Sequence, residues 1–271
     1  MSAAPSELLD LARSVALEAA ALVRERAAGT VEVAATKSSD IDVVTAADRA
    51  SEELIRALIL QARPDDSILG EEGDDVEGTS GVRWVVDPID GTVNFLYGLP
   101  AYAVSIAAEV DGEVVAGVVV DVAHQAVYTG VLDPSAGPAG GVAARDGVPL
   151  GVRGPAPLSH RLVATGFSYV REVRKVQGAA VARLLPEVRD IRRGGSCALD
   201  LCLVAAGQLD GYVEEGVNHW DHAAGGLIAR LAGARLLLLP GAGGRDALVC
   251  GPDHGFEELL SAVRSAGFLR E

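Results

Sequence analysis

The chain has 271 residues, 49% apolar but only 4% aromatic, so a sizeable core must be packed from Ala, Val and Leu. Lys and Arg number 23 against 38 Asp and Glu, a formal net charge of −15. That acid excess argues against a nucleic-acid backbone or an anionic membrane as partner, since both need a basic face. Cys197, Cys202 and Cys250 have no zinc spacing and read as reduced, buried thiols of a cytoplasmic protein. No basic segment followed by a long apolar run opens the chain, so no secretion signal is expected. The longest apolar run, Val114 to Val120, is interrupted by Gly117 and is too short to span a bilayer.

Leu8, Leu11, Val15, Leu22 and Val23 fall near one face of an amphipathic helix predicted over 6–28. A short strand at 31–35 and a polar turn at 37–42 follow. Thr45 with Asp48 three residues on has the capping-box pattern, Asp replacing the usual Glu, ahead of a helix to about Ala62. A brief strand at 67–70 ends in Glu71-Glu72-Gly73, and 73–81 reads as an acidic loop. A β-branched strand at 82–87 then delivers Asp87 and Asp90 onto a loop, with Gly91-Thr92 where a helix or tight turn would begin. Strands are expected at 102–110, 113–121 and 125–131, the first two joined by an Asp111-Gly112 hairpin turn.

Residues 133–157, rich in Gly and Pro with an Asp146-Gly147 turn, mark the boundary between an N-terminal α+β half and a C-terminal half. Beyond it strand and helix alternate: strand 162–165, helix 171–185, strand 188–191, helix 195–206, strand 211–214 and helix 221–231. Strands near 235–239 and 247–250 and a helix at 254–266 close the chain. The pattern is α/β, layered α+β, read as one domain over 1–271 with subdomains 1–145 and 155–271.

Asp87 and Asp90, three apart, read equally as turn formers or as metal ligands. Asp221, opening a helix after Trp220, reads equally as an N-cap. With Glu71 and Glu72 they make an oxygen-only cage plausible, which suits Mg²⁺ or Mn²⁺ better than zinc. Other site types fail on spacing: no dinucleotide glycine fingerprint, no P-loop, and no closing glycine for a nucleophile elbow at Ser196. Asp87-Pro88-Ile89-Asp90 also fails the D-x-D of haloacid-dehalogenase-type phosphatases, because Ile89 stands where their general acid is needed. The five histidines are scattered and read as surface or cap residues, His219 beside Trp220 being the one of interest.

Taken together, these segments resemble the inositol monophosphatase family of Mg²⁺-dependent, Li⁺-sensitive sugar phosphatases. Gly70-Glu71-Glu72 resembles its G-E-E, and 87–95 is similar throughout to its D-P-[IL]-D-G-T-x-N-F. Trp220-Asp221-His222-Ala223-Ala224-Gly225 resembles W-D-x-A-A-G, and Lys37 through Asp42 to Asp48 resembles K-x-x-x-x-D-x-V-T-x-x-D. The segments around Arg192-Arg193-Gly194-Gly195-Ser196 and Asp210-Gly211-Tyr212-Val213-Glu214 look like the inositol side of bacterial members.

The resemblance implies an αβαβα sandwich, usually a homodimer, that hydrolyses myo-inositol 1-phosphate or a related sugar phosphate. Two or three Mg²⁺ per site would serve, with Mn²⁺ as substitute, and water activated at the metal would attack. By the same resemblance Glu71, Asp87 and the Ile89 carbonyl hold a first metal, and Asp87, Asp90 and Asp221 a second. Glu71 and Thr92 orient the attacking water, with Asp48 pulling on the Thr92 hydroxyl. Gly91 and Thr92 bind phosphate, and Asp90, Gly195, Ser196, Glu214 and Asp221 border the polyol. Lys37 balances the acid cluster from its periphery, and Glu72 is structural. Cys197, Asn218-His219 and the loosely matching 241–246 and 251–254 depart from the family pattern and bear on substrate preference. Fructose 1,6-bisphosphate, histidinol phosphate and adenosine 3′,5′-bisphosphate are the alternative esters, and a non-catalytic binding platform is the alternative class.

Overall fold

The computed structural model describes residues 3–29, 33–36, 43–137 and 140–270. The polar turn at 37–42, with Lys37, lies outside the described residues. The elements run α1 (Pro5–Ala27), β1 (Val33–Thr36), β2 (Val43–Thr45), α2 (Ala46–Ala62), β3 (Ser67–Gly70), β4 (Val82–Asp90) and α3 (Thr92–Leu96). Next come β5 (Ala103–Val110), β6 (Glu113–Asp121), β7 (Ala126–Leu132), β8 (Gly141–Arg145), β9 (Val148–Pro149) and β10 (Leu162–Thr165). The rest are α4 (Arg171–Leu184), β11 (Asp190–Arg192), α5 (Cys197–Ala205), β12 (Gly211–Glu215), α6 (His219–Leu231), β13 (Ala234–Pro240), β14 (Asp246–Pro252) and α7 (Phe256–Ala266).

Two large sheets organise the chain. Strands β3 to β9 lie side by side in sequence order, and the second sheet has the order β11-β10-β12-β14-β13. Because side chains alternate across a strand, each sheet feeds two cores. Trp84, Val86, Val104 and Ile106 pack under Leu8, Val15, Ile55 and Ile59 of α1 and α2. Their neighbours Val85, Ala103 and Ala107 face the other way, against Ala198 and Leu201 of α5 and Ala224 and Ile228 of α6. Those helices are covered in turn by Tyr212, Leu248 and Cys250 of the second sheet. Val213 and Val249 point to its far side, where Leu184 of α4 and Phe256, Leu259 and Val263 of α7 close the last core. The layers are helix, sheet, helix, sheet, helix: the αβαβα sandwich expected.

Three expectations need correction. Asp87 and Asp90 are not on a loop: β4 continues through Asp90, and its register against β5 breaks between the two acids, Asp87 facing Ser105 and Asp90 facing Ala103. The intervening Pro88 cannot join the ladder, so the strand bulges there. Residues 133–157 are not simply a boundary, because β8 and β9 extend the first sheet through the Asp146-Gly147 turn. Finally, α6 starts at His219 with Asn218 as its cap, so Asp221 is its third residue and not its cap. The Asp111-Gly112 turn is as expected, with φ of 52° and 82°.

The approach of α6 to the first sheet is set by two glycines. Gly117 of β6 pairs directly with Gly130 of β7. A Cβ on Gly117 would lie 2.9 Å from Ala224 Cα, and one on Gly130 would lie 3.0 Å from Ile228 Cγ1. Ala224 and Ile228 are one helical turn apart, so the glycine pair forms a flat seat for α6.

Candidate metal-binding active site

The site assembles where the bulged end of β4 meets the starts of α5 and α6. Ile89 N donates to Asp87 Oδ1 at 3.1 Å, which closes a tight loop within the bulge. Asp90 Oδ2 accepts from Ser196 Oγ and from Ala198 N, both at 2.6 Å, so the first turn of α5 holds it. Gly91 then turns the chain at φ 98°, a left-handed conformation natural to glycine. Thr92 begins α3 with its Oγ1 3.0 Å from Asp48 Oδ1 and 3.1 Å from the Ile89 carbonyl oxygen. Asp48 is fully buried and committed at both ends. Its Oδ2 accepts from Thr45 N at 2.8 Å and from the Thr45 hydroxyl, the capping box anticipated from sequence, which leaves Oδ1 for Thr92. Asn94 Nδ2 donates to the Ala101 and Gly194 carbonyls at 2.7 and 2.9 Å, tying this corner to the segment before α5.

Asp221 arrives from α6 with one oxygen already used, Oδ2 accepting from Asn218 N at 2.5 Å. Asp87, Asp90 and Asp221 each offer an oxygen, all within 4.8 Å of one another. Glu71, at the end of β3, shares a side-chain hydrogen bond with Asp87. Burial, then the charges of Glu71, Asp90 and Asp221, push the Asp87 carboxyl well above its ordinary range. Burial likewise lifts Asp90 from 3.8 to about 6 against the lowering pull of its Ser196 and Ala198 hydrogen bonds. Asp221 is raised by burial first, then by Asp90 and Glu71. Like charges this close and dry resist simultaneous ionisation, and a hard divalent cation bound by carboxylate oxygens removes that conflict. The donor set fits Mg²⁺ or Mn²⁺ and offers no soft ligand.

Above the acids opens a cavity of about 460 Å³. Glu71, Asp87, Ile89, Asp90, Gly91, Thr92 and Asp221 line one side, with Gly195 and Glu214 beside them. Glu214 Oε2 accepts from the Tyr212 hydroxyl at 2.6 Å, and burial raises its carboxyl against that bond and the nearby Arg193. Two expected site residues do not reach this space. Asp48 sits behind Thr92, as its expected role requires. Ser196 is 2% exposed, and its Oγ bonds Asp90 and Leu199 N at 3.2 Å, so it caps α5 and holds Asp90 from behind the cavity lining.

Other residues also line the cavity; of these Phe167, Val170 and Val173 bear no functional mark in the sequence. Phe167, Val170 and Val173 form an apolar wall, and Arg193 and Arg245 face the same space. Arg245 sits in the β13–β14 turn, anchored where buried Glu215 accepts from Gly243 N at 2.9 Å and Arg245 N at 3.0 Å. In the sequence Arg193 lies in a segment resembling the family's inositol side, and Arg245 in the glycine-rich stretch 241–246 that departs from the family pattern. Glu52 was also unmarked: its carboxylate accepts from Glu72 N and Gly73 N, both at 2.8 Å, and so holds the turn beside Glu71. Its spacing from Arg56 looks in sequence like an ordinary surface pair one turn apart.

The sequence model of the inositol monophosphatase family matches residues 4–265. The chain belongs to the inositol monophosphatase family. Within it, the chain is similar to an inositol-1-monophosphatase from Mycobacterium bovis, 47% identical over 96% of this chain and 94% of that protein. A Haemophilus influenzae protein called Nus factor SuhB is 34% identical, over 95% of this chain and 96% of its own. Among solved structures, Mycobacterium tuberculosis SuhB superposes with a TM-score of 0.80 at 44% identity, covering 98% of this chain and 99% of that one. Family membership implies a phosphatase with a small phosphorylated substrate, and the acid cluster fits metal binding.

Proposed function

We propose that the chain is a Mg²⁺-dependent phosphomonoesterase acting on myo-inositol 1-phosphate. One observation carries it: three aspartates from two layers converge within 4.8 Å beside a Thr92 hydroxyl backed by buried Asp48. Glu71, Asp87, Asp90, Asp221 and the Ile89 carbonyl would hold the cations, which supply charge neutralisation for the phosphate and acidify water. Thr92 donates its single proton toward Asp48 or Ile89, so its oxygen lone pairs remain to accept from the attacking water. Glu71, which lines the same cavity, would orient that water together with Thr92. The Gly91 and Thr92 N–H groups are placed to donate to phosphate oxygens. On the alcohol side Gly195 and Asp90 border the polyol, and Glu214 accepts from its hydroxyls.

Arg193 and Arg245 favour a second reading within the same chemistry, an ester with a second anionic group such as fructose 1,6-bisphosphate. The name Nus factor carried by two of the relatives points to a role apart from hydrolysis. The complete acid set favours hydrolysis in this chain. The working form we take to be one domain, as a homodimer in the cytoplasm. Its three buried thiols are free, and among the described residues no helix is long and apolar enough to cross a membrane. A panel of phosphate esters assayed with Mg²⁺ separates the substrate readings. Highest kcat/KM for inositol 1-phosphate, reduced in Glu214→Gln, is expected, and a clear preference for a bisphosphate would replace the first reading by the second.

A further inference from the structure

Asp221 reaches the acid cluster from a different layer than Asp87 and Asp90. Its place depends on how the first turn of α6 is held against the seven-stranded sheet. Since Asp221 Oδ2 is bound to Asn218 N inside that turn, any shift of residues 218–219 carries the carboxylate with it.

One buried side chain bridges sheet and turn. Glu109 of β5 is 2% exposed. From the sheet, Arg83 of β4 donates Nε to Glu109 Oε2 at 2.6 Å. From the helix, His219, the first residue of α6, meets Glu109 Oε1 through Nε2 at 2.5 Å. Two hydrogen-bonded cationic or polar partners hold this carboxyl ionised against burial, so it has no proton to give and His219 Nε2 is the donor. The bond is directional, so it fixes the rotation of the helix start as well as its distance. The strand that carries Arg83 is the one that ends in Asp87 and Asp90. A continuous set of contacts therefore runs from β4 through Arg83, Glu109 and His219 to the turn bearing Asp221.

We propose that Glu109 and His219 are positioning residues for Asp221, setting the affinity of the carboxylate cluster for its divalent cation. The proposal rests on the metal reading above. Loss of a group hydrogen-bonded directly to a metal ligand weakens binding by roughly ten- to a hundredfold; Glu109 and His219 act one step further out, through the turn that holds Asp221. The proposal extends that reading to two residues that touch neither metal nor substrate.

Calorimetric titration of Mn²⁺ into chelator-treated, dialysed protein, without substrate, tests it. His219 keeps about a third of its side chain exposed, so His219→Ala is the variant expected to stay folded. It should bind Mn²⁺ more weakly, by about threefold to tenfold, at or below the low end for a direct partner of a ligand. His219→Gln, which keeps an N–H donor, should recover most of the loss. The His219→Ala/Glu109→Ala double variant should bind no more weakly than the poorer single variant, as expected of two residues acting through one contact. Arg83→Ala, which leaves the helix contact in place, should lose less than His219→Ala. Unchanged Mn²⁺ affinity in folded His219→Ala overturns the proposal, as does an equal loss in Arg83→Ala. Wild-type protein that takes up no Mn²⁺ overturns the metal reading itself, and is told apart because it needs no variant.

Discussion

Thr92 has one hydroxyl proton and two acceptors within reach, Asp48 Oδ1 and the Ile89 carbonyl. Its catalytic value is that its proton has somewhere to point other than at the water. Thr92→Val keeps the shape and removes the hydroxyl. It should lower kcat by roughly a hundredfold or more with KM little changed, and an unchanged kcat would remove Thr92 from the reaction. At this scale the sequence was most legible where a residue serves local and distant structure together. Asp48 was readable because its capping box is a local pattern. Glu52 and Glu109 were not, because their partners lie 20 and 110 residues away and nothing in their immediate neighbours requires a buried acid. The direction of the Ser196 hydroxyl, toward Asp90, was not legible for the same reason, since being next to Gly195 says nothing of where it points.

At the scale of elements, the site depends on α6 lying close to the sheet over Gly117 and Gly130. Gly117→Ala places a Cβ 2.9 Å from Ala224 Cα and 3.2 Å from its carbonyl oxygen. Neither is the end of a flexible side chain, so the helix must move. The expected cost is about 1–3 kcal/mol, together with weaker Mn²⁺ binding, because Asp221 rides on that helix. Thermal melts and a metal titration check both, and a destabilised variant with wild-type metal affinity would show that the helix start is held independently of its middle. Most elements were foreseeable from periodicity and turn residues. The exceptions have physical reasons. Strand β4 runs on through a proline because a bulge accommodates it. Strands β8 and β9 are short pieces at the sheet's end, built from residues that read as loop. The start of α6 is set by Asn218, whose capping role depends on Asp221 facing back toward it.

For the whole molecule, the layered arrangement brings acids from separate segments into one dry corner of a chain already at −15. Burial, then neighbouring carboxylates, raise the folded pKa of Asp87, Asp90 and Asp221 above the ordinary value, Asp90 from 3.8 to about 6 with Glu214 as its raising charge. Between those values the metal-free folded protein holds protons that the unfolded chain has released. The cluster's contribution to stability is therefore greatest below about pH 4 and is lost as pH rises through about 6 and beyond. Chelator-treated protein should melt lower at pH 7.5 than at pH 5, and Mg²⁺ should raise the pH 7.5 value most. Melting that is insensitive to both would contradict the charge conflict. The five-layer order was legible only through family resemblance, because alternating strands and helices suit several α/β architectures.

The most direct test of the carboxylate cluster as a catalytic metal site is Mg²⁺-dependent phosphate release from myo-inositol 1-phosphate, measured for wild type and Asp90→Asn. Asp90→Asn keeps the side-chain shape and an oxygen for the bonds from Ser196 and Ala198 while removing one ligand charge. Turnover by the wild type only with Mg²⁺, and at least about a hundredfold lower kcat/KM in the variant, is the expected result. Phosphate release that needs no divalent cation, or that Asp90→Asn leaves undiminished, would contradict it.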